Sequence, residues 1–221
     1  MMKTILRICL LLVFLSACTK ESGIKVDANG LTPDINNIVP QTTLDEMKSL
    51  GMPIFTGTTP PNIVGVYNVS PYLLKSSDVP NDYAPGHAYS DFRVQLSNQD
   101  NAKLTVQMDY VSTDQSGTGL GGFIVGSGND FTIFVNVNET KSGAQATLVR
   151  VLSGTLSATG IKNYYSAVFM VNNGGNTSVF MANGKGRITY DGDGLSEKVA
   201  SLKSARLPES GVDNDSTAIP N

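Results

Sequence analysis

Leu104-Thr105-Val106-Gln107-Met108-Asp109-Tyr110 alternates apolar and polar side chains without a break. A β-strand turns successive side chains to opposite faces, so a period of two marks a strand with one buried face. Phe131-Thr132-Ile133-Phe134-Val135-Asn136-Val137 repeats the pattern, with Phe134 adding apolar area to an otherwise polar row. Residues 63–69, 89–96, 120–125, 146–156, 164–171 and 185–190 bring the candidate strands to about eight. Turn signals separate them: Asn98-Gln99-Asp100-Asn101, Gly126-Ser127-Gly128-Asn129-Asp130, Asn172-Asn173-Gly174-Gly175 and Asp191-Gly192-Asp193-Gly194. Short strands joined by tight turns predict an all-β fold, an antiparallel meander. Closing it into a barrel of about eight strands would remove its exposed edges. An open β-sandwich is the alternative.

The flanks read differently. Thr43-Leu44-Asp45-Glu46 matches a capping box, and Leu44, Met47 and Leu50 give a short helix over 43–50 one apolar stripe. Gly51 can take the left-handed stop position, and Pro53, Pro60 and Pro61 block continuation. This predicts a tether over 18–58 and a β-domain over 59–207. Residues 19–37 lack periodicity and read as a spacer, so a chain starting at Thr42 is expected to keep its melting midpoint. Leu195, Val199 and Leu202 are spaced for one helical face, with Lys198, Lys203 and Arg206 suited to its C-terminal end; a last edge strand over 198–207 is the alternative. Residues 208–221 have the composition of a disordered tail.

At the other end, Lys3 and Arg7 precede an apolar run from Ile8 to Leu15, too short for a stable bilayer span. The run ends in Leu15-Ser16-Ala17-Cys18, which resembles the lipobox of bacterial lipoproteins. The resemblance implies a signal peptide over 1–17, cleavage between Ala17 and Cys18, and acylation of Cys18 with palmitate-type chains. The partner it implies is a membrane of the cell envelope, the outer membrane, held through lipid. Thr19 rather than Asp follows the cysteine, so the enteric inner-membrane retention signal is missing, and Lys20-Glu21 resembles acidic surface-export signals. Loss of Lys3 and Arg7 moves the formal charge from −3 to −5. A mildly acidic chain argues against nucleic acid and against a polybasic lipid-binding patch. With Cys9 removed and Cys18 blocked, no disulfide or thiolate chemistry is left.

Gly51-Met52-Pro53-Ile54, the run from Pro60-Pro61-Asn62-Ile63 through Gly65-Val66-Tyr67 to Ser70-Pro71, Ser153-Gly154-Thr155 and Gly160-Ile161 together resemble a second family. These segments are similar to Gram-negative (Bacteroidetes-type) envelope lipoproteins with a lipocalin-like (calycin-type) β-barrel, over about residues 43–195. Lipocalins place a Gly-x-Trp on the first strand, with an Arg from a late strand stacked over the indole. The resemblance carries these roles to Gly65, Tyr67 and Arg187 as a barrel-closing trio, with Tyr where lipocalins have Trp. It implies that the first and last long strands are neighbours.

Other motifs have plain readings. Gly117, Gly119 and Gly122 spell G-x-G-x-x-G, but Phe123-Ile124-Val125 follows as a strand, whereas phosphate binding needs a helix N-terminus there. Asp191-Gly192-Asp193-Gly194 does not continue as a calcium loop, since Leu195 and Leu202 occupy ligand positions and Ser196 the position of the required glycine; it reads as a hairpin or strand-end turn. His87, the single histidine, sits in a loop and supplies neither a triad nor a metal site alone. Asp91, Asp109, Asp130 and Glu139 read as solvated, unless two pair across strands as in glycoside hydrolysis. Tyr164-Tyr165, Tyr83 and Tyr89 are candidate sugar-stacking faces, weakened by the absence of Trp. Asp215-Ser216-Thr217 resembles an O-glycosylation triplet.

The functional expectation is a lipid-anchored, non-catalytic envelope β-barrel binding a small apolar or amphipathic ligand, with no cofactor and no metal. Pairing with another envelope protein or a glycan is the alternative, and a hydrolase using paired carboxylates is the third.

Overall fold

The computed structural model describes residues 24–203. The signal segment 1–17, the Ala17–Cys18 cleavage and lipidation site, the tail 208–221 and the Asp215 triplet lie outside the described residues. Two helices, α1 (Pro33–Ile38) and α2 (Gln41–Ser49), precede twelve strands. The strands are β1 (Thr58–Thr59), β2 (Gly65–Val69), β3 (Tyr72–Ser77), β4 (Ala88–Tyr89), β5 (Phe92–Asp100) and β6 (Thr105–Val111). Then come β7 (Gln115–Ser127), β8 (Asp130–Lys141), β9 (Ala144–Leu156), β10 (Gly160–Asn172), β11 (Gly186–Asp191) and β12 (Leu195–Val199).

The alternating runs are strands, and β5 to β10 form an antiparallel meander. The short β12 closes it, pairing with β2 on one side and β10 on the other. A ring through eight strands results, so the open sandwich does not form. It is barrel-like and carries extra strands: β11, β3 and β4 continue the sheet beyond β10, and β1 adds a short parallel pairing to β7.

Leu195 to Leu202 is therefore not a helix. The free edges of β2 and β10 each need a backbone partner, and a five-residue strand supplies both. Gly117, Gly119 and Gly122 lie within β7 around an irregular register, and the Asp191–Gly194 segment is the turn between β11 and β12. The capping box is displaced as well: α2 starts at Gln41 behind Pro40, so Thr43 sits inside the helix and caps nothing.

The apolar residues divide into two clusters. One fills the ring with the inward rows of the strands, including Tyr67, Phe92, Tyr110, Phe131, Ile133 and Leu152. The other lies on the outer wall, where Phe134, Val149, Val151, Phe169 and Ile188 pack against α1 and α2. This second layer explains why Phe134 breaks the polar row of its strand.

It also corrects the tether. Leu31, Ile35 and Val39 are as buried as any core residue, and the Thr32 hydroxyl accepts from the Ile35 N–H at 3.4 Å as the α1 N-cap. Residues 31–39 are thus part of the folded body. The six-residue helix itself buries only Ile35, with Leu31 and Val39 flanking it at spacing four, too few to stand out as a periodic pattern.

A buried acid holds the closing strand. Asp191, at the end of β11, accepts from the Ser196 hydroxyl of β12 at 2.7 Å. Burial raises its carboxyl to about 6 against that hydrogen bond, with Asp193 nearby pushing the same way. The folded pKa exceeds the unfolded value near 3.9, so the protonated form favours folding. That contribution is complete below about pH 4 and lost as pH rises through 6. Asp191→Asn should match the wild type at pH 4 and exceed it by about 2 kcal/mol at pH 7. Urea melts of both proteins at the two pH values check this, and a constant difference would contradict it.

Candidate functional site

Residue parity builds the site. The inward row of β8 runs Phe131, Ile133, Val135, Val137 and ends on Glu139, while that of β9 runs Ala146, Leu148, Arg150, Leu152. The row of β6 ends on Tyr110. Tyr110, Gly117 and Glu139 lie side by side across β6, β7 and β8. Gly117 is required there, because a Cβ would stand 2.2 Å from the Tyr110 ring. Its missing side chain lets the Tyr110 hydroxyl reach over β7 and donate to Glu139. Glu139 is therefore buried in the ring and not solvated as its sequence context suggested.

Arg150 faces it. One guanidinium nitrogen is 3.5 Å from Glu139, and another donates to the Tyr72 hydroxyl at 3.4 Å and Ser166 Oγ at 3.3 Å. The guanidinium stacks 4.3 Å from the centre of Tyr110 and 4.9 Å from that of Phe92. Burial disfavours its charge, but the surrounding phenols and Glu139 outweigh that and hold its pKa above the ordinary value. Among the described residues its Nε is buried without a partner, as are the hydroxyls of Tyr89 and Tyr164. Burial raises Tyr89 to about 12, so its proton stays on at neutral pH.

A cavity of about 170 Å³ opens at this end of the ring beside Arg150 and Tyr89. Leu148, Val168 and Met170 form its strand walls, and Val179, Phe180 and Met181 from the β10–β11 connection cover it. Arg187 stands at the rim. Two of its nitrogens donate to Asp82 at 2.6 and 2.7 Å. Burial would raise Asp82, but hydrogen bonds from Arg187 and Ser77 prevail and hold it at about 2.

The predicted trio is not assembled. Tyr67 is buried in the ring with its hydroxyl donating to the Ile63 carbonyl at 2.9 Å, and its closing-strand neighbour is Lys198 of β12. Gly65 lies two residues away against the Lys198 stem. Arg187 is on β11, between β10 and β3, with its guanidinium 6.0 Å from the Tyr89 ring. The reason is topological: β12 intervenes as the last strand, so β11 is not the neighbour of β2.

The other candidates are also scattered. Asp91 is exposed, Asp109 accepts from Gln107 on the outer face, and Asp130 accepts from Thr155 at 2.5 Å at the opposite end of β8 from Glu139. These four carboxylates do not converge. Tyr164 points into the ring and Tyr165 onto the outer wall, so they form no single platform. His87 is half-buried and stacks on Tyr83 at 3.7 Å in the β3–β4 connection. Among the described residues, no group of three or more acids, histidines or cysteines is placed to hold a metal.

Comparison with protein-family models, curated proteins and solved structures returns no match. The site is read from its own geometry. Sequence reasoning missed Arg150, although a lone arginine inside the apolar run Leu148-Val149-Arg150-Val151-Leu152 is a visible signal.

Proposed function

We propose that this chain is a non-catalytic cell-envelope module, anchored through lipid at Cys18, whose ring binds a small amphipathic ligand at the mouth cavity. The observation that carries the reading is a cavity with an apolar wall of Leu148, Val168, Met170 and Phe180 facing polar groups, among them two buried donors, Arg150 Nε and the Tyr89 hydroxyl, that lack acceptors among the described residues. An unmade buried hydrogen bond costs about 1–3 kcal/mol, so a ligand acceptor at this point gains more than it would in water. The volume is close to the roughly 150 Å³ of an apolar cavity that takes benzene. It suits a small ring or short chain with one polar end.

The test has two arms. Saturation-transfer NMR with phenol, hexanol and hexanoate should show binding of at least one probe. Val168→Trp, which fills the cavity from β10, should abolish the signal while circular dichroism stays unchanged. No transfer to any probe, or transfer indifferent to Val168→Trp, would refute the mouth as the site. For the anchor, Cys18→Ser should end incorporation of labelled palmitate and release the protein from membranes; retained label would refute it.

A further inference from the structure

A second and larger recess lies on the outer wall, separate from the mouth. Its volume is about 530 Å³, within the range of about 300–1,000 Å³ seen for small-molecule sites. The floor is the outward face of β6 to β8, where Gln107 and Asn136 stand beside Phe123. Helix α1 forms one wall with Asp34, Asn37 and Ile38, and Asn98 of β5 contributes from the side. The opposite wall is the irregular stretch of β7 at Leu120-Gly121.

That stretch is built to stand out. Gly121 has φ +104°, a conformation that disfavours any side chain, and it turns Leu120 outward to 59 % exposure. On either side, a Cβ on Gly119 would lie 2.7 Å from the Met108 carbonyl, and one on Gly122 2.9 Å from that of Val106. The Gln107 amide is held in place, donating to the Gly119 carbonyl and to Asp109, both at 3.1 Å.

The chemistry of the lining is selective. Its polar side chains are four amides, the Thr105 hydroxyl and one carboxylate, with no cation among them. Asn37, Asn98, Asn136 and Asp34 make no side-chain hydrogen bond to another described residue, so their donors and acceptors face the recess or solvent. An amide offers a donor and an acceptor side by side, which matches vicinal hydroxyls. Phe123, Ile38 and Leu120 supply apolar surface of the kind the C–H face of a sugar ring covers. An anionic ligand would meet Asp34 without a compensating charge.

The geometry points to a binding site for a neutral oligosaccharide in this outer recess. It is independent of the mouth cavity, so the two sites stand or fall separately. The test uses the soluble Cys18→Ser full-length chain and three neutral trisaccharides, maltotriose, cellotriose and triacetylchitotriose, with trigalacturonate as the anionic comparison. Saturation-transfer NMR at millimolar concentration should detect at least one neutral sugar and little of the anionic one. The paired substitution Asn37→Ala and Asn136→Leu removes an amide from each of two walls. It should weaken that sugar roughly tenfold or more with an unchanged melting midpoint, whereas Val168→Trp in the ring should leave it unaffected. Absence of binding by all three neutral sugars, preference for trigalacturonate, or binding that survives the double substitution would overturn the proposal.

Discussion

A chain shortened to begin at Thr42 is expected to melt more than about 10 °C below the full-length domain, and to lose cooperativity if the loss is larger still. The deletion removes Leu31, Ile35 and Val39, which are 1 %, 0 % and 2 % exposed in the full chain. Burying such side chains contributes about 1.5–3 kcal/mol each, and that range is an upper one because unfolded chains already hide some surface. A total near 5 kcal/mol is comparable with the whole stability of many domains. In a domain of this size each kcal/mol moves the midpoint by about 2–4 °C. The damage also extends beyond the deleted residues. Phe134, Val149 and Phe169 on the outer wall would lose part of their cover and present an apolar patch to water. Ile35→Ala offers a milder version with an expected cost of about 2–4 kcal/mol. Differential scanning calorimetry of the three proteins decides the matter; equal midpoints would restore the reading of residues 19–37 as a passive spacer.

That spacer reading shows where sequence legibility stopped. The strands β6 and β8 declare themselves because each carries several alternations against a clear inward row. Residues 31–39 carry only one turn of apolar spacing, and their burial depends on a hydrophobic outer wall assembled from β7 to β11. Nothing local announces such a wall except Phe134 and the doubly apolar run of β9. β12 was hidden for a related reason. Its five residues, Leu195 to Val199, fit a helix pattern as well as a strand pattern, and the edges of β2 and β10 decide between them. The Tyr67–Arg187 pairing failed with it, since a closing strand of five residues displaced β11 from that position.

The mouth site was legible in part. Parity alone assigns Glu139 to the same face as Phe131, Ile133, Val135 and Val137, and Arg150 to the face of Leu148 and Leu152. What parity lacks is depth. Which inward polar residue lies under a mouth, and which other strand stands opposite, follows from register across several strands. Gly117 illustrates the point: its role is to leave room between Tyr110 and Glu139, two residues separated from it in opposite directions along the chain.

Arg150→Ala is expected to cost about 3–5 kcal/mol, because it leaves the Glu139 carboxylate buried with only the Tyr110 hydroxyl on it. Glu139→Leu alone should be similarly harmful, stranding a guanidinium that keeps only neutral partners in Tyr72 and Ser166. The informative protein is the double variant Arg150→Met with Glu139→Leu. Desolvating two charges offsets most of their mutual attraction, so well-packed apolar replacements of a buried pair are often neutral or stabilising by about 1–4 kcal/mol. If the pair serves the ligand, the double variant should recover nearly all the stability lost in the single ones. The same protein should lose saturation transfer from the mouth probes, since the Nε donor and its surrounding polarity are gone. Urea denaturation of the wild type, Arg150→Met, Glu139→Leu and the double variant, read as a double-mutant cycle, supplies the coupling. A double variant as unstable as Arg150→Ala would place the pair among the supports of the ring, through its stacking on Phe92 and Tyr110, and would remove the argument that it is retained for binding. A stable double variant that still takes up the probes would instead assign their binding to the apolar walls and Tyr89 alone.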